Sequence, residues 1–322
     1  MVDSDQRPVP SPGTAADRPP EPIRRGPFTF ARARRRNSYV VTPLLLISIN
    51  LVLFLLFFVW PAVIGFRYSF TSYTGVGPAP GVGLENYKNL FHDADFYAAL
   101  LRSFLYAACL VPATYVASLG IAYLLASPYA KGKPLARTIF FVPWLISPII
   151  AGVIWRWIFG ENFGLVNFII TKLGGHAVSW QSNANLSLVI VIIAATWGNT
   201  AFNMLIFTAA LKNVPTAYYE AAELDGANAW QKFRGITLPA IAPTSFIVIL
   251  LTTLGAIKEY PLFKAINDGG PGTDNNLIVQ YIYKTGFKNA HIGYASAASF
   301  ILMFILMIIA GIQLMLNRRR ES

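Results

Sequence analysis

The stretch "YYEAAELDGANAWQKFRGITLPAIAP", Tyr218 to Pro243, is a polar run held between two apolar segments, and its reading decides how the chain is organised. Pro215 suits a helix start, because the N–H it lacks would be unpaired there. Thr216 to Leu224 holds good helix formers, with Glu220 near the start. Gly226 supplies the left-handed position that commonly ends a helix. Asn228 can cap a second helix, with Gln231 three positions later as its capping-box partner. Trp230 and Phe233 share one face of that helix. Pro239 removes a donor and disfavours helix at Leu238, so it is expected to end the unit, while Pro243 fits the first turn of the next segment. The sequence therefore predicts two short helices with an elbow at Asp225-Gly226. The first presents the small Ala221 and Ala222 between Glu220 and Glu223. Small residues permit close approach by a partner, and carboxylates at the rim can pair with its cations. The alternative is a hairpin lying on a membrane surface, although such helices are normally basic on the polar face and this one is acidic.

Outward from this stretch, the chain is strongly apolar. Of its 322 residues 55% are hydrophobic and only 13% charged, where a soluble domain carries about a quarter charged. This is the profile of an all-α integral membrane protein. The net charge of +11 does not indicate nucleic acid as a partner, because the Lys and Arg sit in short loops beside apolar runs, as membrane orientation requires. The single Cys109 can form no internal disulfide and is expected to be a buried, inert side chain. Residues 1–41 are Pro-rich, polar and basic, and are expected to form a disordered tail. That tail ends in "RRGPFTFARARRR", and the apolar run after it is too long for a signal peptide, so it reads as an uncleaved first span.

Six stretches reach the roughly 20 apolar residues a membrane helix needs: 42–65, 103–127, 138–159, 186–211, 241–258 and 294–316. Residues 42–317 thus form a transmembrane domain, followed by a short terminus, 318–322. Most of the 26 Lys and Arg fall in segments that share one side if both termini are cytoplasmic, which also places 212–240 in the cytoplasm. Arg67, Arg102 and Arg156 mark the outer ends of the first three spans, and "WRW" at 155–157 reads as an aromatic belt against membrane lipid. No ionisable residue falls at the centre of any span, which argues against a secondary, ion-coupled carrier. A membrane enzyme is also disfavoured. His92, His176 and His291 lie in separate outer loops without metal-ligand spacing, so no metal site and no catalytic residue are assigned.

Glu220-Ala221-Ala222, then Asp225-Gly226-Ala227, Phe233, Ile236, Leu238-Pro239 and Pro243, at fixed spacing between two spans, resemble the EAA loop of bacterial binding-protein-dependent ABC importer permeases. The resemblance extends from the first span onward. It implies a type I importer fold, a location in the bacterial plasma membrane, and a loop that serves as a coupling helix docked on a cytoplasmic ATPase dimer. It further implies a second homologous permease as a heterodimer partner and an external solute-binding protein. The chain contains no G-x-x-x-x-G-K-[ST], so it is read as having no cofactor of its own, with ATP and Mg bound by the ATPase. Glu220, Ala221, Ala222, Asp225, Gly226, Ala227, Phe233, Leu238 and Pro239 become the candidate ATPase-coupling residues.

The outer "LFKAINDGGPGTDNNLIVQYIYKTGF", with "GLENYKNLF" at 83–91, resembles the first permease of carbohydrate importers of the maltose and glycerol-phosphate type. The polar "KAIND" before its Gly-Gly-Pro departs from that pattern. Thr196, Asn199, Thr200 and Asn203 recur at i, i+3, i+4 and i+7, on one face of the fourth span. Two readings stay open: hydrogen-bonding glue between helices, or a lining for a hydrophilic solute. Trp197 can stack on a sugar ring or simply pack. Thr252, Gly255 and Glu259 follow one stripe of the fifth span. Glu259 and Tyr260 are therefore candidates for an outer gate, with an interfacial anchor as the alternative.

Overall fold

The computed structural model describes residues 38–127 and 130–321. The tail expected over 1–41 lies outside the described residues up to position 37, and the first helix begins at Ser38. Among the described residues all regular elements are helical, and one isolated antiparallel bridge joins Thr71 to Gly81.

Contacts divide the chain at Val59. The first unit comprises α1 (Ser38–Phe54) and a widened π turn (Leu55–Val59). Its apolar side chains from Leu44 to Val59 are exposed, as lipid-facing residues are in an isolated chain. The helical run Pro43–Tyr68 is long and apolar enough to cross a membrane.

The second unit holds α2 (Trp60–Tyr68), α3 (Glu85–Leu90), α4 (Ala94–Ala126), α5 (Lys133–Leu145), α6 (Pro148–Ile158), α7 (Leu165–Lys172) and α8 (Ala184–Lys212). After these come α9 (Thr216–Leu224), α10 (Ala229–Lys232), α11 (Leu238–Ala240), α12 (Ala242–Ile257), α13 (Pro261–Ile266), α14 (Ile278–Tyr283) and α15 (Ile292–Glu321). Its scaffold is α4 packed along α8 and across α12. Asp93 starts α4 by accepting from the backbone N–H of Asp95 and Phe96, and Asn183 starts α8 in the same way. One buried cluster joins Tyr106 and Leu110 of α4, Ile190 and Val191 of α8, and Phe263 and Ile266 of α13. Tyr106 meets Phe263 edge-on at 4.9 Å. A second joins Leu119 and Ala122 of α4, Met204 and Phe207 of α8, and Val248 of α12. Lipid tails are as apolar as these side chains, so close packing and hydrogen bonds hold the helices together. Gly152 of α6 shows how close: a Cβ there would lie 2.5 Å from that of Ala265 on α13.

α4, α8, α15 and Pro43–Tyr68 are unbroken candidate spans, whereas the expected third and fifth spans are bent pairs, giving six crossings if each pair counts once. The third, expected as one helix over 138–159, turns by 98° between α5 and α6. Ser147 precedes Pro148 and takes an extended backbone, φ −55° and ψ 136°, which the proline ring favours. At the fifth, Pro239 does not end the helix as expected. A π turn over Phe233–Thr237, with Leu238 N–H bonded to the Phe233 carbonyl, relieves the crowding a proline imposes one turn back, and helix continues to Ala240. The bend of 70° comes afterwards, at Ile241, and Pro243 occupies the first turn of α12 as expected.

Cys109 is exposed, contrary to the expectation of burial. The core face of α4 runs through Ser103, Tyr106 and Leu110, and the helix phase sets Cys109 with exposed Leu101, Leu105 and Ala108 on the other side. The "WRW" belt is likewise half right: Trp157 is exposed, but Trp155 packs on Phe159 and Trp197.

Candidate functional site

The elbow of the polar loop forms from local chemistry. Gly226 ends α9 with φ +75°, a conformation that costs an L side chain dearly. Around it the Ala227 N–H reaches the Ala222 carbonyl at 2.8 Å and the Gly226 N–H reaches that of Glu223 at 3.1 Å, satisfying carbonyls a helix end leaves open. Asn228 and Gln231 form a reciprocal capping box at the start of α10. Glu223 pairs with Lys232 across the elbow at 2.7 Å, and the Tyr219 hydroxyl lies 2.9 Å from Thr237 Oγ1.

The structure divides the candidate coupling residues into two groups. Glu220, Ala221, Asp225 and Gly226 are exposed, and so are Tyr218, Leu224 at 90% and Trp230 at 65%. Phe233 and Leu238 instead face the bundle, packed on the cluster of Leu119, Met204 and Ile241, with Phe233 edge-on to Tyr123 at 5.1 Å. Ala222 and Ala227 are half-buried at the elbow, and Pro239 is exposed. One part of the motif thus forms an outward surface, and the other anchors that surface to α4, α8 and α12.

The polar stripe of α8 faces inward. Asn203 Nδ2 donates to Thr252 Oγ1 on α12 at 3.3 Å, and Asn199 Nδ2 bonds the Ala195 carbonyl of its own helix. The hydroxyls of Thr196 and Thr200 are enclosed and have no hydrogen-bond partner among the described residues. Trp197 packs edge-on against Trp155 at 5.9 Å. Glu259 lies between α12 and α13, where its Oε1 accepts from the N–H groups of Tyr260 and Leu262, and Tyr260 stands 5.2 Å from the Tyr283 ring.

With this geometry in view, residues 118–322 match the family of binding-protein-dependent transport system inner membrane components. The chain belongs to that family. Among similar inner membrane components, the arabinooligosaccharides permease protein AraP of Bacillus subtilis is 32% identical over 82% of this chain and 84% of its own. The probable starch degradation products permease protein AmyD of Thermoanaerobacterium thermosulfurigenes is 30% identical, covering 81% and 88%. The sn-glycerol-3-phosphate permease protein UgpA of Salmonella choleraesuis is also 30% identical, over 84% and 92%. The solved bacterial ABC transporter that imports the acidic polysaccharide alginate has a chain of the same fold, with a TM-score of 0.78 at 23% identity, covering 88% of this chain and 96% of that one.

This inner membrane component also carries polar devices that the sequence reading missed. Asp93 Oδ2 accepts from the hydroxyls of Tyr281 and, at 2.8 Å, Tyr294, while Oδ1 caps α4, so one carboxylate clasps α4, α14 and α15. Burial opposes ionisation of Asp93, but these four hydrogen bonds more than offset it and hold the carboxyl below its ordinary value. The Gly269–Gly272 turn is pinned to the start of α8 by Asn267 on Ser187 Oγ at 2.7 Å and Asn275 on the Ala184 carbonyl at 2.8 Å. A capping acid before "ADFYAALL" is legible in sequence; its two tyrosine partners, nearly 200 residues on, are not.

Proposed function

We propose that this inner membrane component is a permease subunit of an ATP-driven sugar importer. It forms half of the translocation path, and its α9 surface receives the motion of a cytoplasmic ATPase. The observation that carries the coupling reading is the exposed face of Tyr218, Glu220, Ala221 and Leu224, held rigid by the Gly226 elbow and joined through Phe233 to the bundle. Exposed apolar side chains beside a carboxylate suit a protein partner, and an anchored helix transmits displacement as a rigid body.

In this reading both termini and α9 are cytoplasmic, a second homologous permease completes the path, and a solute-binding protein delivers the solute from outside. The ATPase dimer holds ATP and Mg. Closure of that dimer moves α9, and the anchor at Phe233 and Leu238 passes the displacement to α4, α8 and α12. The permease itself breaks no covalent bond. The names of AraP and AmyD support a saccharide as the solute. The unpaired hydroxyls of Thr196 and Thr200 support the solute-lining reading of the α8 face, while the Asn203–Thr252 bond supports the glue reading at that position. The test is reconstitution in liposomes with the co-purifying subunits and a panel of binding-protein-bound saccharides. ATP-dependent uptake of at least one saccharide is the expected result, and uptake driven by an ion gradient without ATP would contradict it.

A further inference from the structure

A groove of about 630 Å³ runs between the first turns of α4 and the segment from Thr273 to Asn289, which contains α14. Four charged side chains line it: Asp95 and Arg102 from α4, Asp274 from the loop, and Lys284 at the end of α14. Among the described residues none of the four forms an ion pair, whereas the nearby Asp268 pairs with Lys264 at 2.7 Å. Arg102 makes no hydrogen bond within the described chain. Lys284 Nζ donates to the Asp268 carbonyl at 3.0 Å and to Asn276 Oδ1 at 2.7 Å, which leaves one of its three N–H groups free. The groove thus offers two cations and two carboxylates that form no ion pair among the described residues.

Polarity changes along its length. Asp95 lies in the first turn of α4, and Leu105 lies ten residues further on, about 15 Å along the axis. Leu101 and Leu105 line it on either side of Arg102 along α4 and are 71% and 45% exposed. Charges at the outer end of a candidate span, set beside exposed apolar side chains and with Leu105 furthest along the helix, suit the headgroup and upper acyl region of a bilayer leaflet.

We infer that this groove binds a zwitterionic phospholipid bearing a primary ammonium group. Its phosphate lies against Arg102 and the free N–H of Lys284, its ammonium against Asp95 and Asp274, and an acyl chain covers Leu101 and Leu105. Guanidinium matches phosphate oxygens in a bidentate fork, and a primary ammonium supplies the N–H donors that two bare carboxylates lack. In the orientation proposed above, the lipid belongs to the outer leaflet.

The experiment is native mass spectrometry of the detergent-purified complex, the chain with its co-purifying subunits, in equal amounts of phosphatidylethanolamine, phosphatidylcholine and phosphatidylglycerol. Phosphatidylethanolamine is expected to be retained in preference to phosphatidylcholine, whose trimethylammonium has no N–H. Arg102→Gln should lower its retention about tenfold, the loss of one charge-assisted contact, and Arg102→Lys should restore part of it. Asp95→Asn with Asp274→Asn should bring the two zwitterionic lipids to equal retention while phosphate binding persists. Assembly is checked by gel filtration, and all three variants alter side chains that make no hydrogen bond or ion pair among the described residues. Equal retention of the three lipids by wild type, or unchanged retention in Arg102→Gln, overturns the proposal. So does loss of solute-binding-protein capture in Arg102→Gln with lipid retention intact, which would make the groove a protein-docking face.

Discussion

The phenolic oxygen of Tyr219 lies 2.9 Å from the Oγ1 of Thr237, joining α9 to the π turn that leads into α11. Thr237 is fully buried, so the bond links the exposed helix to the packed base of the loop. Tyr219→Phe removes one hydroxyl and about 1 kcal/mol of local stability. Uptake per inserted molecule should fall several-fold with membrane abundance unchanged. Wild-type uptake in this variant would show that the link transmits nothing.

At Gly226 an added Cβ meets nothing within 4 Å, so substitution there tests conformation rather than space. A β-branched residue at φ +75° costs about 1–2 kcal/mol, and Asn tolerates that region better. Uptake should rank Gly above Asn above Val. A Val variant as active as the Asn variant would mean that the elbow geometry is dispensable.

The two readings of the α8 face separate by variant. Asn203→Leu removes the bond to Thr252 and should lower thermal stability by about 0.6 kcal/mol, the usual worth of a hydrogen bond between membrane helices. Thr196→Val and Thr200→Val remove hydroxyls without a partner among the described residues, so they should leave stability unchanged and raise KM for the solute. Threonine variants with unchanged transport and lowered stability would reduce the whole stripe to packing.

The Asp93 clasp predicts an acid-sensitive contribution to stability. Its folded value is depressed below the ordinary 3.8, so the contribution is complete above that value and disappears as pH falls through the lower folded value. Asp93→Ala should lose about 1–3 kcal/mol at neutral pH, since it leaves Tyr281, Tyr294 and the first N–H groups of α4 without their acceptor. Asp93→Asn, which still caps, should lose less. Thermal midpoints measured against pH check both statements, and a midpoint in Asp93→Ala that tracks wild type at every pH would refute them.

What the sequence made legible was local. Gly226, Asn228 and Gln231 lie within six residues and specify the elbow without outside help. The bend at Ser147 was also written locally, in a residue before proline, but the length of the apolar run 138–159 masked it. The helix through Pro239 was not legible, because it depends on a π turn that begins at Phe233, a residue packed on Tyr123 more than 100 positions earlier in the chain. The exposure of Cys109 followed from helix phase against neighbours the sequence does not name. For the coupling motif, spacing marked the residues as one set; only packing separates exposed Glu220 and Ala221 from inward Phe233 and Leu238.

The central claim is that the α9 surface is where this permease receives its energy, and the most direct measurement is the amount of ATPase subunit that co-purifies with Glu220→Lys relative to wild type. Glu220 is exposed and bonds to no other group of the described chain, so the change leaves the fold intact and reverses a charge at the rim of the surface. The account predicts that the variant inserts normally, loses most of its bound ATPase and no longer supports ATP-dependent uptake. Full ATPase retention with normal uptake would contradict it.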